Sequence, residues 1–245
     1  MARKPARKSA PKPARAAASS GPATPAGDRD TIIAAFLALL ADKRLEQIGF
    51  AEIAESAGVT LAQLRGEYAS PLAILAAHIR NVDRAVLGED YSDMAEEPAR
   101  ERLFDVLMRR LEILAPHRDA IRSLIRSARR NPPLALALNK LTVRSQQWML
   151  TAAGVDASGP GGMMRAQGLA VLFASVLRAW VDDDDPGHAR TMAALDRALG
   201  RGQRFAGLLD DLCQVPRRLC RLRNRLRGRR RRRRPDDYED TAAAA

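Results

Sequence analysis

The sequence predicts an all-α protein: a three-helix helix-turn-helix head, a C-terminal helical bundle, and disordered basic tails. Three observations carry that reading. Aromatic residues make up only 4% of the chain although hydrophobic residues reach 46%, so the apolar content rests on helix-favouring Ala and Leu and not on strand formers. Apolar residues recur at i, i+3, i+4 and i+7 in one segment after another, the signature of amphipathic helices. Between residues 48 and 75, two short helical patterns are joined by a tight turn at Gly58. A length of 245 residues is enough to bury a full core in one helical domain or two small ones.

Charge divides the chain before any helix is placed. Residues 1–27 hold six Lys/Arg and no acid, and residues 217–245 hold twelve Arg with four acids. The whole chain carries +12, so the tails hold more than the entire excess and the middle is slightly acidic. After Met1 the first 27 residues contain nothing apolar larger than alanine, and Pro5, Pro11, Pro13, Pro22 and Pro25 oppose an amphipathic targeting helix. They are expected to form a disordered basic arm.

The head spans residues 28–88. Asp28 or Asp30 is expected to cap its first helix, whose stripe is Ile33, Phe36, Leu37 and Leu40, with Lys43 and Arg44 on the solvated side. Phe50, Ile53, Ala54 and Ala57 keep helical spacing up to Gly58, which can take the left-handed conformation that ends a helix, and Val59 plugs the corner. Thr60 and Gln63 have the spacing of a capping box, and Leu61, Leu64 and Tyr68 form an apolar stripe. Ser70-Pro71 combines a preferred cap with a proline tolerated in the first turn, opening a longer helix through Leu72, Leu75, Ile79, Val82 and Val86.

Ile53, Ala54, Ala57, Gly58, Val59, Leu64, Tyr68 and Ser70 fall in the register of the DNA-binding domain of TetR-type transcriptional regulators, which residues 31–80 resemble. Arg65 and Pro71 stand where that family usually has tyrosine and lysine. The resemblance implies a dimer that places residues 60–67 in the major groove. Thr60, Leu61, Ala62 and Gln63 would then lie nearest the bases and Arg65 near phosphate.

The acidic stretch Gly88 to Pro98 is expected to be a solvated linker into a body over residues 89–213. Leu103, Val106, Leu107 and Leu111 mark one helix, His117 to Arg126 another, and Pro132-Pro133 opens a third running to about Ala153. Residues 154–162 read as a loop between helices, because no strand precedes their glycines and no Lys-Ser/Thr follows Gly162. Leu169, Leu172, Phe173, Val176 and Trp180 then share one helix face, suited to a core, a dimer seam or the wall of an apolar ligand cavity. Residues 166–199 resemble the C-terminal domain of Coq-type ubiquinone-biosynthesis accessory proteins through Trp180, Asp182 to Asp185, Thr191 and Leu195-Asp196-Arg197 closed by Leu199. That resemblance implies binding of an isoprenoid or other hydrophobic ligand.

A short helix is expected at Phe205, Leu208, Leu209 and Leu212, followed by an arginine-rich tail over residues 214–245. Leu219, Leu222 and Leu226 keep helical spacing among arginines. Arg217 to Arg234 therefore suits an anionic surface, either membrane or nucleic acid, and its lack of aromatics restricts any nucleic-acid contact to phosphate.

No constellation for catalysis emerges: His78, His117 and His188 lie on separate elements, and no serine sits in a nucleophile elbow. No enzyme activity, metal site or cofactor is expected. Cys213 and Cys220 do not make a disulfide framework, and no signal-peptide core is present, so a cytoplasmic location is the simple expectation. Two functions stay open. One is a TetR-type, homodimeric transcriptional regulator that binds double-stranded DNA and a hydrophobic effector. The other is a lipid-binding accessory protein that keeps the fold without specific DNA binding.

Overall fold

The computed structural model describes residues 25–94 and 96–202, and among them every regular element is helical. The expectations for residues 1–24, for the helix at Phe205 to Leu212, for Cys213 and Cys220, and for the arginine-rich tail lie outside the described residues. The α-helices are α1 (Pro25–Asp42), α2 (Phe50–Ala57), α3 (Leu61–Glu67), α4 (Pro71–Leu87), α5 (Ala99–Leu114), α6 (Arg118–Arg130), α7 (Pro132–Ala152) and α8 (Gly159–Val181). Helical backbone also covers residues 189–202, here α9. Helix α1 starts at Pro25, so Asp28 lies inside its first turn and does not cap it. Its carboxylate there favours the helix N-terminus electrostatically.

Two apolar cores hold the helices. The head core gathers Ile32, Phe36 and Leu40 of α1, Ile53 of α2, Leu64 of α3 and Ile74 of α4, all buried. The body core gathers Leu107 and Leu111 of α5, Met149 of α7, Phe173, Val176 and Trp180 of α8, and Leu195 of α9. The two cores exchange members across the expected boundary at residue 88. Val82 and Val86 of α4 belong to the body core, whereas Ala120 of α6 and Leu134 of α7 belong to the head core. Three hydrogen bonds tie the same seam: Ser123 Oγ donates to the Lys43 carbonyl at 2.7 Å, the Leu45 N–H donates to Ser127 Oγ at 3.3 Å, and Asn131 Nδ2 donates to Glu46 Oε1 at 3.2 Å. Buried backbone groups that leave a helix need such partners.

Two elements differ from their sequence reading. Residues 159–162, expected in a loop, form the first turn of α8, with Pro160 tolerated there. Gly162 packs so closely on the Ala157 backbone that an added Cβ would lie 2.0 Å from its carbonyl carbon. A glycine is therefore demanded by close approach of two backbones. The acidic linker is also not wholly solvated in isolation, because Glu89 pairs with Arg109 of α5.

Candidate nucleic-acid interface

The geometry around Gly58 follows from local chemistry. Gly58 adopts φ 65°, ψ 28°, and its N–H returns to the α2 carbonyls, the left-handed helix end that an L side chain disfavours. Thr60 then caps α3: its Oγ1 accepts the Gln63 N–H at 3.2 Å, while Gln63 Oε1 accepts the Thr60 N–H at 2.8 Å. This reciprocal pair satisfies two donors that a bare helix start would leave open. Ser70 caps α4 in turn, accepting the Ala73 N–H at 3.1 Å, with Pro71 at the first helical position.

Behind α3, Leu64 is 1% exposed and Tyr68 is buried, so one face of this seven-residue helix is fixed to the head. In front, Thr60, Leu61, Ala62, Gln63 and Arg65 are all exposed, and Leu61 presents 56% of its surface. The five residues expected to meet DNA are thus all solvent-facing. Gln63 is the exception to free presentation, because its amide oxygen already serves the cap and leaves the amide nitrogen as its outward donor. Arg65 has no ion-pair partner among the described residues, whereas Lys43 is held by Glu52 and Arg29 by Glu67. Isolated short helices are marginal in water, so the orientation of α3 is owed to these caps and to Leu64 and Tyr68.

The stripe expected to line a ligand cavity has a different setting. Leu169, Phe173, Val176 and Trp180 are buried in the body core and Leu172 packs partly against it. Cavities of 310 and 970 Å³ lie elsewhere, lined by other residues. The Arg118 guanidinium stacks 5.2 Å from the Trp180 ring centre and donates to the Trp180 and Asp183 carbonyls. Asp183 in turn accepts from the Thr191 N–H at 2.8 Å and the Thr191 hydroxyl at 2.6 Å, and Asp185 accepts the Ala189 N–H at 3.1 Å. The acidic run therefore joins α8 to α9 and caps α9.

One buried polar cluster was missed at the sequence level. Asp83 of α4 accepts from Arg110 Nη1 of α5 at 2.7 Å and from Ser145 Oγ of α7 at 2.6 Å, and Arg110 lies 5.4 Å from the Phe173 ring centre. The visible signal was an aspartate and an arginine in otherwise helical apolar stripes. Beside it, the rings of His78 and His117 meet edge-on at 5.0 Å, and burial lowers the pKa of His78 to about 4. No group of three or more His, Cys, Asp or Glu side chains among the described residues is arranged to hold a metal.

No known protein-family profile matches the chain, and no curated protein matches it. Solved structures do. The helical arrangement is that of TetR-type transcriptional regulators. A TetR regulator from Nitrosomonas europaea ATCC 19718 superposes with a TM-score of 0.54 at 20% identity, covering 71% of this chain and 97% of that one. A TetR regulator from Rhodococcus sp. RHA1 gives 0.51 at 18% identity over 72% and 96%. A putative TetR-family regulator from Syntrophomonas wolfei gives 0.51 at 16% over 75% and 96%. At such identities the likeness establishes the fold. None of the described helices is long and apolar enough to cross a membrane.

Proposed function

We propose that the chain is a DNA-binding transcriptional regulator of TetR type, acting as a homodimer that inserts two copies of α3 into duplex DNA. The observation that carries this reading is the exposure of Thr60, Leu61, Ala62, Gln63 and Arg65 at the start of a helix packed from behind by Leu64 and Tyr68. Such residues match how a helix-turn-helix reads the major groove: apolar contact from Leu61 to a thymine methyl, amide donation from Gln63, and a guanidinium at phosphate. Dimerisation is supported by α8, where Met163, Met164 and Val171 are exposed. Exposed apolar side chains on one helix favour burial against a second copy.

Two further roles belong to the same proposal. A hydrophobic effector at Leu169, Leu172, Phe173, Val176 and Trp180 would have to part the packed core, because Trp180 and Val176 already fill it. The alternative of a lipid-binding accessory protein draws on Trp180, Asp183 and Thr191, yet these three residues are engaged in joining α8 to α9. They support a shared architecture more directly than a lipid site. The regulator reading is therefore preferred.

Selection of bound duplexes from a random pool, followed by footprinting, tests it. A palindromic motif is expected, with half-sites about one helical turn (~34 Å) or a multiple apart. Arg65→Ala should weaken all sequences alike by about 1 kcal/mol or more, while Gln63→Ala should relax base preference. Gln63→Glu keeps an oxygen for the Thr60 cap but removes the amide donor, separating base reading from helix stability. Unchanged affinity and preference in all three variants would remove α3 from DNA recognition.

A further inference from the structure

One face of α4 runs Ala73, Ala76, Ala77, Arg80, Arg84, Leu87, a spacing that keeps these side chains in line over about 21 Å of helix. It forms the floor of a 970 Å³ groove whose walls are Arg29, Asp30 and Ile33 of α1, Glu67 and Tyr68 after α3, and Trp148 of α7. The alanines leave the space that larger side chains would fill. Trp148 is 55% exposed and Leu87 is exposed beside it, giving the far end of the groove an apolar platform. The size suits a small organic ligand.

Charge in the groove is unbalanced once its ion pairs are removed. Glu67 is taken by Arg29, and Asp83 is taken by Arg110 and Ser145. That leaves the guanidiniums of Arg80 and Arg84, one helical turn apart, against the carboxylate of Asp30. Arg84 is steadied by Asn81 Oδ1, and Arg80 has no ion-pair partner among the described residues. Two adjacent guanidiniums above an apolar floor are suited to a carboxylate that carries a hydrocarbon chain: the forked donors take both oxygens, and the chain covers Leu87 and Trp148.

We propose that this groove is a binding site for an amphipathic carboxylate, held at its head group by Arg80 and Arg84 and along its chain by Leu87 and Trp148. The site is separate from the exposed residues of α3 and stands whether or not they read DNA.

The test uses the full chain, with Trp148 emission read in a Trp180→Phe background so that one indole reports. Decanoate is titrated against decanol and decyltrimethylammonium. Decanoate should shift the emission saturably, with the neutral alcohol at least about tenfold weaker and the cation inert. Arg80→Gln with Arg84→Gln should weaken decanoate by about tenfold or more, as expected for loss of charge-assisted hydrogen bonds, and leave decanol unchanged. Leu87→Ala should weaken both by removing part of the apolar platform. Circular dichroism of each variant checks folding, and isothermal calorimetry on the chain with both tryptophans repeats the titrations. Equal binding of decanoate and decanol, indifference to the double arginine change, or no saturable decanoate signal in either readout would overturn the proposal.

Discussion

Replacing Asp83 with alanine should be among the most damaging single changes in this protein. The carboxylate accepts 2.7 and 2.6 Å hydrogen bonds from Arg110 and Ser145, and Arg110 is only 4% exposed with its Nε already lacking a partner. Removing Asp83 strands a buried guanidinium that lies over the face of Phe173. Breaking a buried pair in this way costs about 3–5 kcal/mol, a large part of the roughly 5–15 kcal/mol that holds a typical domain together. The pair itself contributes far less than this figure suggests, because forming it required stripping water from both ions. Asp83→Leu combined with Arg110→Met should therefore recover most of the loss that either of these two changes causes alone, so that the double variant costs far less than the sum of the two singles in the double-mutant cycle. Urea denaturation followed by far-ultraviolet circular dichroism, at one fixed protein concentration, measures it. With a slope of about 1–3 kcal/mol per molar urea, the single change should move the midpoint down by at least about 1 M. A cost below about 1 kcal/mol for Asp83→Ala, or single costs that simply add in the double variant, would refute the reasoning.

Three other outcomes are expected. His78 is held to a pKa of about 4, first by burial and then by His117 and Arg110. Its folded value thus lies below the unfolded value of about 6.5, so its contribution is intact above pH 6.5, lost as pH falls toward 4, and constant below. The full loss is about 3 kcal/mol; His78→Leu should flatten this limb of the pH–stability curve, and a parallel curve would count against it. Gly58→Ala should lower stability by about 1–2 kcal/mol through its φ of 65° alone, since open space surrounds its position, and thermal unfolding against Gly66→Ala, an exposed glycine inside α3, gives the contrast. Deleting residues 217–245, which hold twelve arginines, should reduce the log–log salt slope of non-specific DNA binding by about 0.9 for each phosphate that the tail had neutralised; equal slopes would exclude the tail from DNA.

The sequence alone determined what depends on near neighbours in the chain. The break at Gly58, the Thr60 and Ser70 caps, and the stripes Ile33–Phe36–Leu37–Leu40 and Leu103–Val106–Leu107–Leu111 are all legible, because capping and helical periodicity are set within three or four residues. Tertiary structure decided what each apolar face meets and where each buried charge finds its partner. The stripe Leu169, Phe173, Val176 and Trp180 is visible from spacing, yet nothing in the spacing says whether protein, ligand or a second copy covers it, and the fold buries it in a core shared with residues of α5, α7 and α9. Asp83 meets Arg110 and Ser145 across 27 and 62 residues of chain, a pairing no local pattern encodes. Likewise α4 reads as one amphipathic helix, and only packing reveals that Ile74 serves the head while Val86 serves the body. Periodicity records which side of a helix avoids water; the chain's return path decides what lies against it.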